Sequence, residues 1–176
     1  ASDIGEPLEG GQLVDGDTWT VYGGGADIWT DNDQFRYIWQ EVEGDFSVRV
    51  TVNELLSTNT YAKAGIMARN SLDPQSSHVL INIFPYGNTE FGYRIGDGEM
   101  MQASGGNSAI LPGAELELTR VGNTFTGKIL IDNEWQTVGE ISNDDITSKT
   151  LLGIATLSHD NNRLTRAVFN NFNFFK

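Results

Sequence analysis

The sequence lacks cysteine altogether, so neither a disulfide nor a cysteine-bound zinc site can stabilise the chain. This absence does not place the protein in the cytosol. The sequence also lacks any apolar run near the ~18 residues that a transmembrane helix requires, which argues against membrane insertion. The first residues, Ala-Ser-Asp-Ile-Gly, are not a signal peptide. We therefore expect any targeting signal to lie outside this sequence or to have been removed.

Basic residues are scarce: 11 Lys and Arg stand against 24 Asp and Glu, giving a formal net charge of −13. Binding to nucleic acid or to anionic membranes depends on clustered cations that neutralise phosphates. The charge therefore predicts no nucleic-acid partner. It is compatible with high solubility in salt and with oxygen-ligand sites for Ca²⁺.

The composition and the spacing of turn residues predict an all-β fold. The 176 residues include 20 glycines and four tryptophans, and the length suits a single domain, residues 1–176. Short alternating or β-branched runs are separated by turn signals, as in antiparallel sandwiches. We predict a two-sheet antiparallel β-sandwich of the jelly-roll type, with strands at 18–22, 35–41, 46–52, 78–84, 91–95, 115–120, 124–131, 135–138, 151–157 and 166–174. Residues 1–16 are interpreted as an irregular lead-in and 96–113 as a long loop.

The segment 61–72, Tyr-Ala-Lys-Ala-Gly-Ile-Met-Ala-Arg-Asn-Ser-Leu, has two faces of different character if it is a strand. One face is small and apolar, with alanines at 62, 64 and 68 and Ile66, and it suits a packed core. The other carries Tyr61, Lys63, Gly65, Met67 and Arg69. A helix is the alternative, since several of these residues are good helix formers, but Gly65 and the flanking β-rich segments favour a strand.

This second face is a candidate ligand-binding surface. We predict that Lys63, Met67 and Arg69 bind a ligand across the open patch left by Gly65, with contributions from Gln40, Asn82, Arg94 and the loop residue Trp29. Cations, amides and aromatic rings together suit a sugar, and the same groups could hold a peptide carboxylate. The alternative is a solvated outer face whose ion pairs contribute little to stability.

Acidic residues near glycines suggest a Ca²⁺ site, because Ca²⁺ takes six to eight oxygen ligands, often from loops. Asp27, Asp31 and Asp33 flank a glycine-rich turn, and Asp3 could approach Asn171 if the two ends of the chain pair. We predict Ca²⁺ as a structural or ligand-bridging ion held by some of these residues. The alternative is that they only cap backbone amides in turns.

Several phrases occur in the order found in a known group of proteins. These are Asp3-Ile4-Gly5, Gly-Ala-Asp-Ile-Trp at 25–29, Asp33-Gln34-Phe35, Gly44-Asp45-Phe46, the run 62–72, Arg-Val-Gly-Asn-Thr-Phe at 120–125, and Trp135. Nearly the whole chain resembles the concanavalin A-like (laminin-G-like) β-sandwich modules of large secreted bacterial proteins, a group overlapping the regulation-of-enolase-protein domains. The resemblance implies a jelly roll, generally without catalysis, in polysaccharide-degrading enzymes, surface proteins and adhesins. Similar sandwiches hold Ca²⁺ between the lead-in and the last strand, where the family often has Phe-Asp-Asn-Val and this chain has Phe169-Asn170-Asn171-Phe172.

Residues suited to catalysis are few. There is no Gly-x-Ser-x-Gly motif, the histidines 78 and 159 lack a zinc-site spacing, and closely spaced carboxylates occur only at Asp97/Glu99 and Glu115/Glu117. We predict a non-catalytic, extracellular carbohydrate-binding module, monomeric and part of a larger protein. The alternatives are a Ca²⁺-dependent peptide- or protein-binding module of a bacterial adhesin and, with less support, a glycoside hydrolase or polysaccharide lyase.

Overall fold

A computed structural model describes residues 1–175, which fold into fourteen β-strands in two antiparallel sheets. The front sheet has the strand order β1-β4-β13-β6-β7-β8-β9, and the back sheet has the order β12-β11-β10-β5-β14-β3-β2. The strands are β1 (Ser2–Ile4), β2 (Gly11–Asp15), β3 (Thr18–Gly25), β4 (Phe35–Glu43), β5 (Phe46–Leu55), β6 (Lys63–Arg69), β7 (His78–Ile83), β8 (Thr89–Arg94), β9 (Gln102–Gly106), β10 (Ala114–Val121), β11 (Thr124–Ile131), β12 (Glu134–Ser142), β13 (Lys149–Leu157) and β14 (Asp160–Phe175). The predicted two-sheet sandwich is confirmed. Within residues 1–175 no helix is long and apolar enough to cross a membrane.

Two hairpins of the back sheet form at residues that favour turns. β10 and β11 pair around Gly122, whose φ of 60° lies in the region that glycine adopts without strain. β11 and β12 meet at Asp132 and Asn133, with φ of 50° and 63°, as a tight two-residue hairpin turn requires.

Two predictions about irregular segments were wrong, because residues 1–16 contain β1 and β2, and residues 96–113 contain β9. These are short edge strands, so tertiary pairing rather than a local hydrophobic pattern defines them.

The main core lies between the two sheets. The back sheet contributes Val48, Val50 and Val52 from β5, and the front sheet contributes Ala64, Ile66 and Ala68 from β6, all of them buried. Each set occupies alternate positions of one strand and therefore one face of its sheet. The predicted strand and its inward apolar face are confirmed.

The outer face of the front sheet is also buried, in its central part, under a second apolar cluster. Met67 of β6 and Leu80 of β7 lie there together with Phe35 and Tyr37 of β4. They are covered by residues 26–34, which we call the strap, through the buried side chain of Ile28. Met101 also belongs to this cluster, and its methyl group occupies the space that a side chain at Gly92 would need.

Candidate functional site

The strap is fixed to β6 at both of its ends by ion pairs. Asp27 pairs with Lys63 at the start of β6, and Asp33 pairs with Arg69 at its end. Both pairs are separated by 36 residues in sequence. The strap therefore runs alongside β6, in the same direction, over the outer face of the front sheet.

The ion pair at the Asp33 end belongs to a fully buried network. Asp33 accepts two hydrogen bonds from the Arg94 guanidinium, at 2.9 Å and 2.7 Å, and one from Arg69 at 3.3 Å. Arg94 also donates to the carbonyl groups of Thr30 and Glu99, and Arg69 donates to that of Ser71. Asp33 thus joins the two arginines, and the arginines in turn donate to loop carbonyls, which holds the strap and the neighbouring loops on the sheet.

These contacts correct the prediction of an exposed binding face. The side chains of Lys63, Met67, Arg69 and Arg94 are buried, and the three cations among them are already paired with Asp27 or Asp33. Gly65 leaves no open patch either, because a Cβ at this position would lie 2.0 Å from the carbonyl oxygen of Ile81. The alternation along β6 was predicted correctly, but the strap that covers it was not.

The structure separates the remaining predicted ligand-binding residues. Asn82 and Arg94 do lie on the same face as Lys63, since Asn82 pairs with Gly65, and His78 pairs with both Arg69 and Arg94. Gln40 does not, because it pairs with Leu152, which pairs with the core residue Ala68. Directly opposed residues share a face of a sheet, so Gln40 faces the other way. Trp29 is 45% exposed on the strap, as predicted for a loop tryptophan.

The residues predicted to bind Ca²⁺ are dispersed. Asp3 lies on the front sheet and pairs with Arg36 at 2.8 Å, whereas Asn171 lies on the back sheet and donates to Thr51. Asp27 and Asp33 are engaged by cations, and Asp31 is exposed. Among residues 1–175 no group of three or more His, Asp or Glu side chains is placed to hold a metal. The five residues therefore do not fit a common Ca²⁺ site, and Ca²⁺ binding itself stays a prediction.

His78 lies in the Asp33 network, and its titration should make stability depend on pH. Burial lowers the pKa of His78 from 6.5 to about 4; the nearby Asp33 opposes this shift, and Arg69 and Arg94 add to it. Between pH 6.5 and 4 the unfolded chain therefore binds a proton that the folded chain does not. The free energy of unfolding should therefore fall as the pH is lowered through this window, by about 3 kcal/mol in total. Denaturant unfolding from pH 4 to 7 tests this, and His78→Gln should give a flatter profile; identical profiles would contradict it.

A second group of polar and aromatic side chains lies at the Asp27 end of the strap. Lys63 Nζ lies 5.6 Å from the centre of the Phe84 ring, and His159 Nδ1 lies 3.5 Å from Asp27. The Tyr61 ring lies near both the Phe84 ring and the His159 ring, with centroid distances of 6.1 Å and 5.5 Å respectively. We define the Lys63 site as Asp27, Tyr61, Lys63, Asn82, Phe84, Glu90 and His159.

Three members of the Lys63 site, Asn82, Glu90 and His159, carry buried polar atoms that have no hydrogen-bond partner among the described residues. Asn82 is fully buried, and neither its amide oxygen nor its amide nitrogen has a hydrogen-bond partner among the described residues. Glu90 lies directly opposite Asn82 on β8, and one of its carboxylate oxygens is also buried without a hydrogen-bond partner among the described residues. Burial raises the pKa of Glu90, the positive charge of Lys63 lowers it, and the negative charge of Asp27 raises it. Such unpaired groups cost stability, so they mark a place where a ligand could supply the missing bonds.

The site contains both exposed and buried groups. Tyr61 is 59% exposed, and the His159 side chain is 28% exposed, whereas Asn82 is fully buried. The arrangement therefore places an exposed aromatic ring near two carboxylates, a buried lysine that is paired with Asp27, and a buried amide. The polar groups of the Lys63 site can accept and donate hydrogen bonds, while an apolar part of a ligand packs against the Tyr61 ring.

Sequence reasoning named Lys63, Asn82 and Asp27 but missed Phe84, Glu90 and His159 as members of one site. Glu90 could have been found, since it alternates with Gly92 and Arg94 and therefore shares the face of Arg94. His159 could not, because it sits between β13 and β14 with a φ of 52°. Only the path of the chain between the sheets brings it to Asp27.

Comparison with known proteins identifies structural relatives but no sequence family. No protein-family model matches the sequence, and neither does any curated protein. A functionally unknown protein from Saccharomyces cerevisiae has a TM-score of 0.75 at 15% identity, covering 99% of this chain and 95% of that chain. The carbohydrate-binding module CBM66 from Bacillus subtilis has a TM-score of 0.63 at 14% identity, with 99% and 97% covered. The GH43 protein BlXynB from Bacillus licheniformis has a TM-score of 0.68 at 15% identity, but the match covers 90% of this chain and only 32% of that chain.

These likenesses concern the fold. At such low identity they show that the chain has the concanavalin A-like β-sandwich found in lectins and carbohydrate-binding modules. They carry no residue of a binding site across to this chain. The predicted fold class is thereby confirmed, and the predicted origin in secreted bacterial proteins stays a prediction.

Proposed function

We propose that the chain is a non-catalytic, extracellular carbohydrate-binding module and that the Lys63 site holds the sugar. The observation that carries the proposal is the buried side chain of Asn82, whose amide lacks partners at both ends among the described residues. It lies on the face that also carries Glu90 and Lys63, and Tyr61 is exposed just before the start of β6. The same overall fold in a Bacillus subtilis carbohydrate-binding module supports the proposal.

The chemistry of the site suits a sugar ring. Neighbouring hydroxyl groups of a sugar each donate and accept, so one of them can bond to the Asn82 oxygen while another accepts from its nitrogen. Carboxylates such as Asp27 and Glu90 accept from further hydroxyls, and bonds to charged groups are the stronger ones. The Tyr61 ring offers an apolar surface for the C–H face of the sugar.

Asn82→Ala should separate a binding role from a structural role. The substitution removes a buried polar group that has no hydrogen-bond partner among residues 1–175, so the free energy of unfolding should stay unchanged or rise. Binding of the glycan found on a glycan array should weaken about 10- to 100-fold, as expected for the loss of one or two buried hydrogen bonds. Calorimetric titration and denaturant unfolding measure the two quantities. Retained affinity, or a large loss of stability, would refute this role for Asn82.

Tyr61 has a matched control at the same end of the front sheet. Tyr61→Ala should weaken glycan binding about 3- to 10-fold, the value of one aromatic contact. Tyr86, 71% exposed in the turn between β7 and β8, has no place in the Lys63 site. Tyr86→Ala should therefore bind like the parent protein, and equal losses in the two variants would contradict the assignment.

The same experiments address the other functions considered from the sequence. A peptide array beside the glycan array, each with Ca²⁺ and with chelator, tests Ca²⁺-dependent peptide binding. Melting with and without chelator tests a structural ion: an unchanged midpoint argues against it. Cleavage of any polysaccharide in a panel of substrates would show that the chain is an enzyme and would overturn the proposal.

A further inference from the structure

A second feature, which shares no residue with the Lys63 site, is an unpaired strand edge. β1 pairs with β4 only at residues 35–37, and β13 occupies the other side of β4. Among the described residues, nothing pairs with the β1 side of residues 39–43. This edge therefore presents free backbone N–H and C=O groups, which an added strand can use.

An apolar cavity of about 250 Å³ opens beside this edge, between the two sheets. Its lining includes four aromatic residues of the back sheet: Trp19, Phe169, Phe172 and Phe174. A shallower depression formed by residues 40–43 and Phe174 adjoins it at Gln40. An apolar cavity of ~150 Å³ is large enough to hold benzene, so this cavity can take a Leu or Phe side chain.

The register of β1 defines how a strand would continue along the edge. Ser2 pairs with Tyr37 in antiparallel fashion, so the next positions of an added strand would lie opposite residues 39 to 43. Opposed side chains share a face. A residue opposite Gln40 would therefore point toward the cavity, and residues opposite Glu41 and Glu43 would lie on the outer face beside two exposed carboxylates.

We propose that this edge of β4 binds an extended peptide of alternating basic and apolar residues by strand addition. The apolar residue opposite Gln40 fills the cavity, and basic residues pair with Glu41 and Glu43. A second copy of the chain is a poor occupant, because two β4 edges in antiparallel pairing bring Glu41 and Glu43 of both copies together. The net charge of −13 likewise favours a basic partner.

A synthetic peptide, N-acetyl-Lys-Val-Lys-Leu-Thr-amide, tests the proposal in the ¹⁵N-labelled protein. At millimolar concentration it should shift the backbone amide resonances of residues 39–43 and the indole resonance of Trp19. Replacing its leucine by alanine should weaken binding several-fold. The absence of shifts at this edge would overturn the proposal, as would a dimer in sedimentation without peptide.

A charge exchange distinguishes strand addition at this edge from general attraction to an acidic protein. The double variant Glu41→Lys, Glu43→Lys should lose the response to the basic peptide and gain one to N-acetyl-Glu-Val-Glu-Leu-Thr-amide. Glu134→Lys with Glu140→Lys makes the same change of net charge on the edge strand β12, and this variant should respond like the parent. Equal losses in both double variants would show non-specific attraction only and overturn the assignment. Because all four glutamates are exposed, both variants should fold.

Discussion

Replacing Asp33 by asparagine is expected to lower the free energy of unfolding by about 3–5 kcal/mol, the cost of removing one partner from a buried ion pair. The carboxylate is fully buried and accepts from both Arg69 and Arg94. An amide of the same shape leaves two guanidinium groups without a counter-charge. It also releases the end of the strap that these arginines hold. Denaturant unfolding at neutral pH measures the loss.

Asp31 is the matched control, because it lies on the same strap and is exposed. Asp31→Asn makes the same change of net charge and should alter stability by less than about 0.5 kcal/mol, as is usual for surface positions. If Asp33→Asn costs no more than Asp31→Asn, the buried network does not hold the strap.

Replacing Gly65 by alanine is the second change with a large expected effect. A Cβ at this position would lie 2.0 Å from the Ile81 carbonyl oxygen and 2.6 Å from the Asn82 Cα. Both are backbone atoms of β7, so the two strands would have to move apart, and such overpacking costs about 1–3 kcal/mol. An open patch beside Gly65 would instead tolerate the methyl group, so this variant separates the observed packing from the surface predicted by the sequence.

Gly11 is the matched control for Gly65, because it is also a glycine within a strand. It lies in the edge strand β2, has no atom within 4 Å of a Cβ built on it, and does not have a positive φ. Gly11→Ala should therefore keep or slightly raise stability. Equal melting midpoints for the two alanine variants would contradict the close approach of β6 and β7.

The strands with strong local patterns were predictable, and the short edge strands were not. The alternation of Val48, Val50 and Val52, and of the alanines around Ile66, follows directly from burial of one face. The same pattern cannot show what covers the opposite face. Lys63 and Arg69 resemble surface cations in sequence, and only the path of the strap places carboxylates on them.

Part of the candidate site could also be predicted from the alternation of residues along the strands. Lys63, Asn82 and Arg94 were assigned to one face from their positions on neighbouring strands, and the register confirms this. Which end of that face stays open depends on long-range contacts. The strap and Met101 cover its centre, whereas Tyr61 is exposed at the Asp27 end.

The side-chain amide of Asn82 reports most directly on whether the Lys63 site binds sugar. Its two N–H signals can be followed by NMR in the labelled protein while the glycan selected on the array is added. Binding at this site predicts that both signals shift in proportion to occupancy, together with the ring resonances of Tyr61. Saturation by the glycan with these signals unmoved, and others shifting elsewhere, would contradict the assignment.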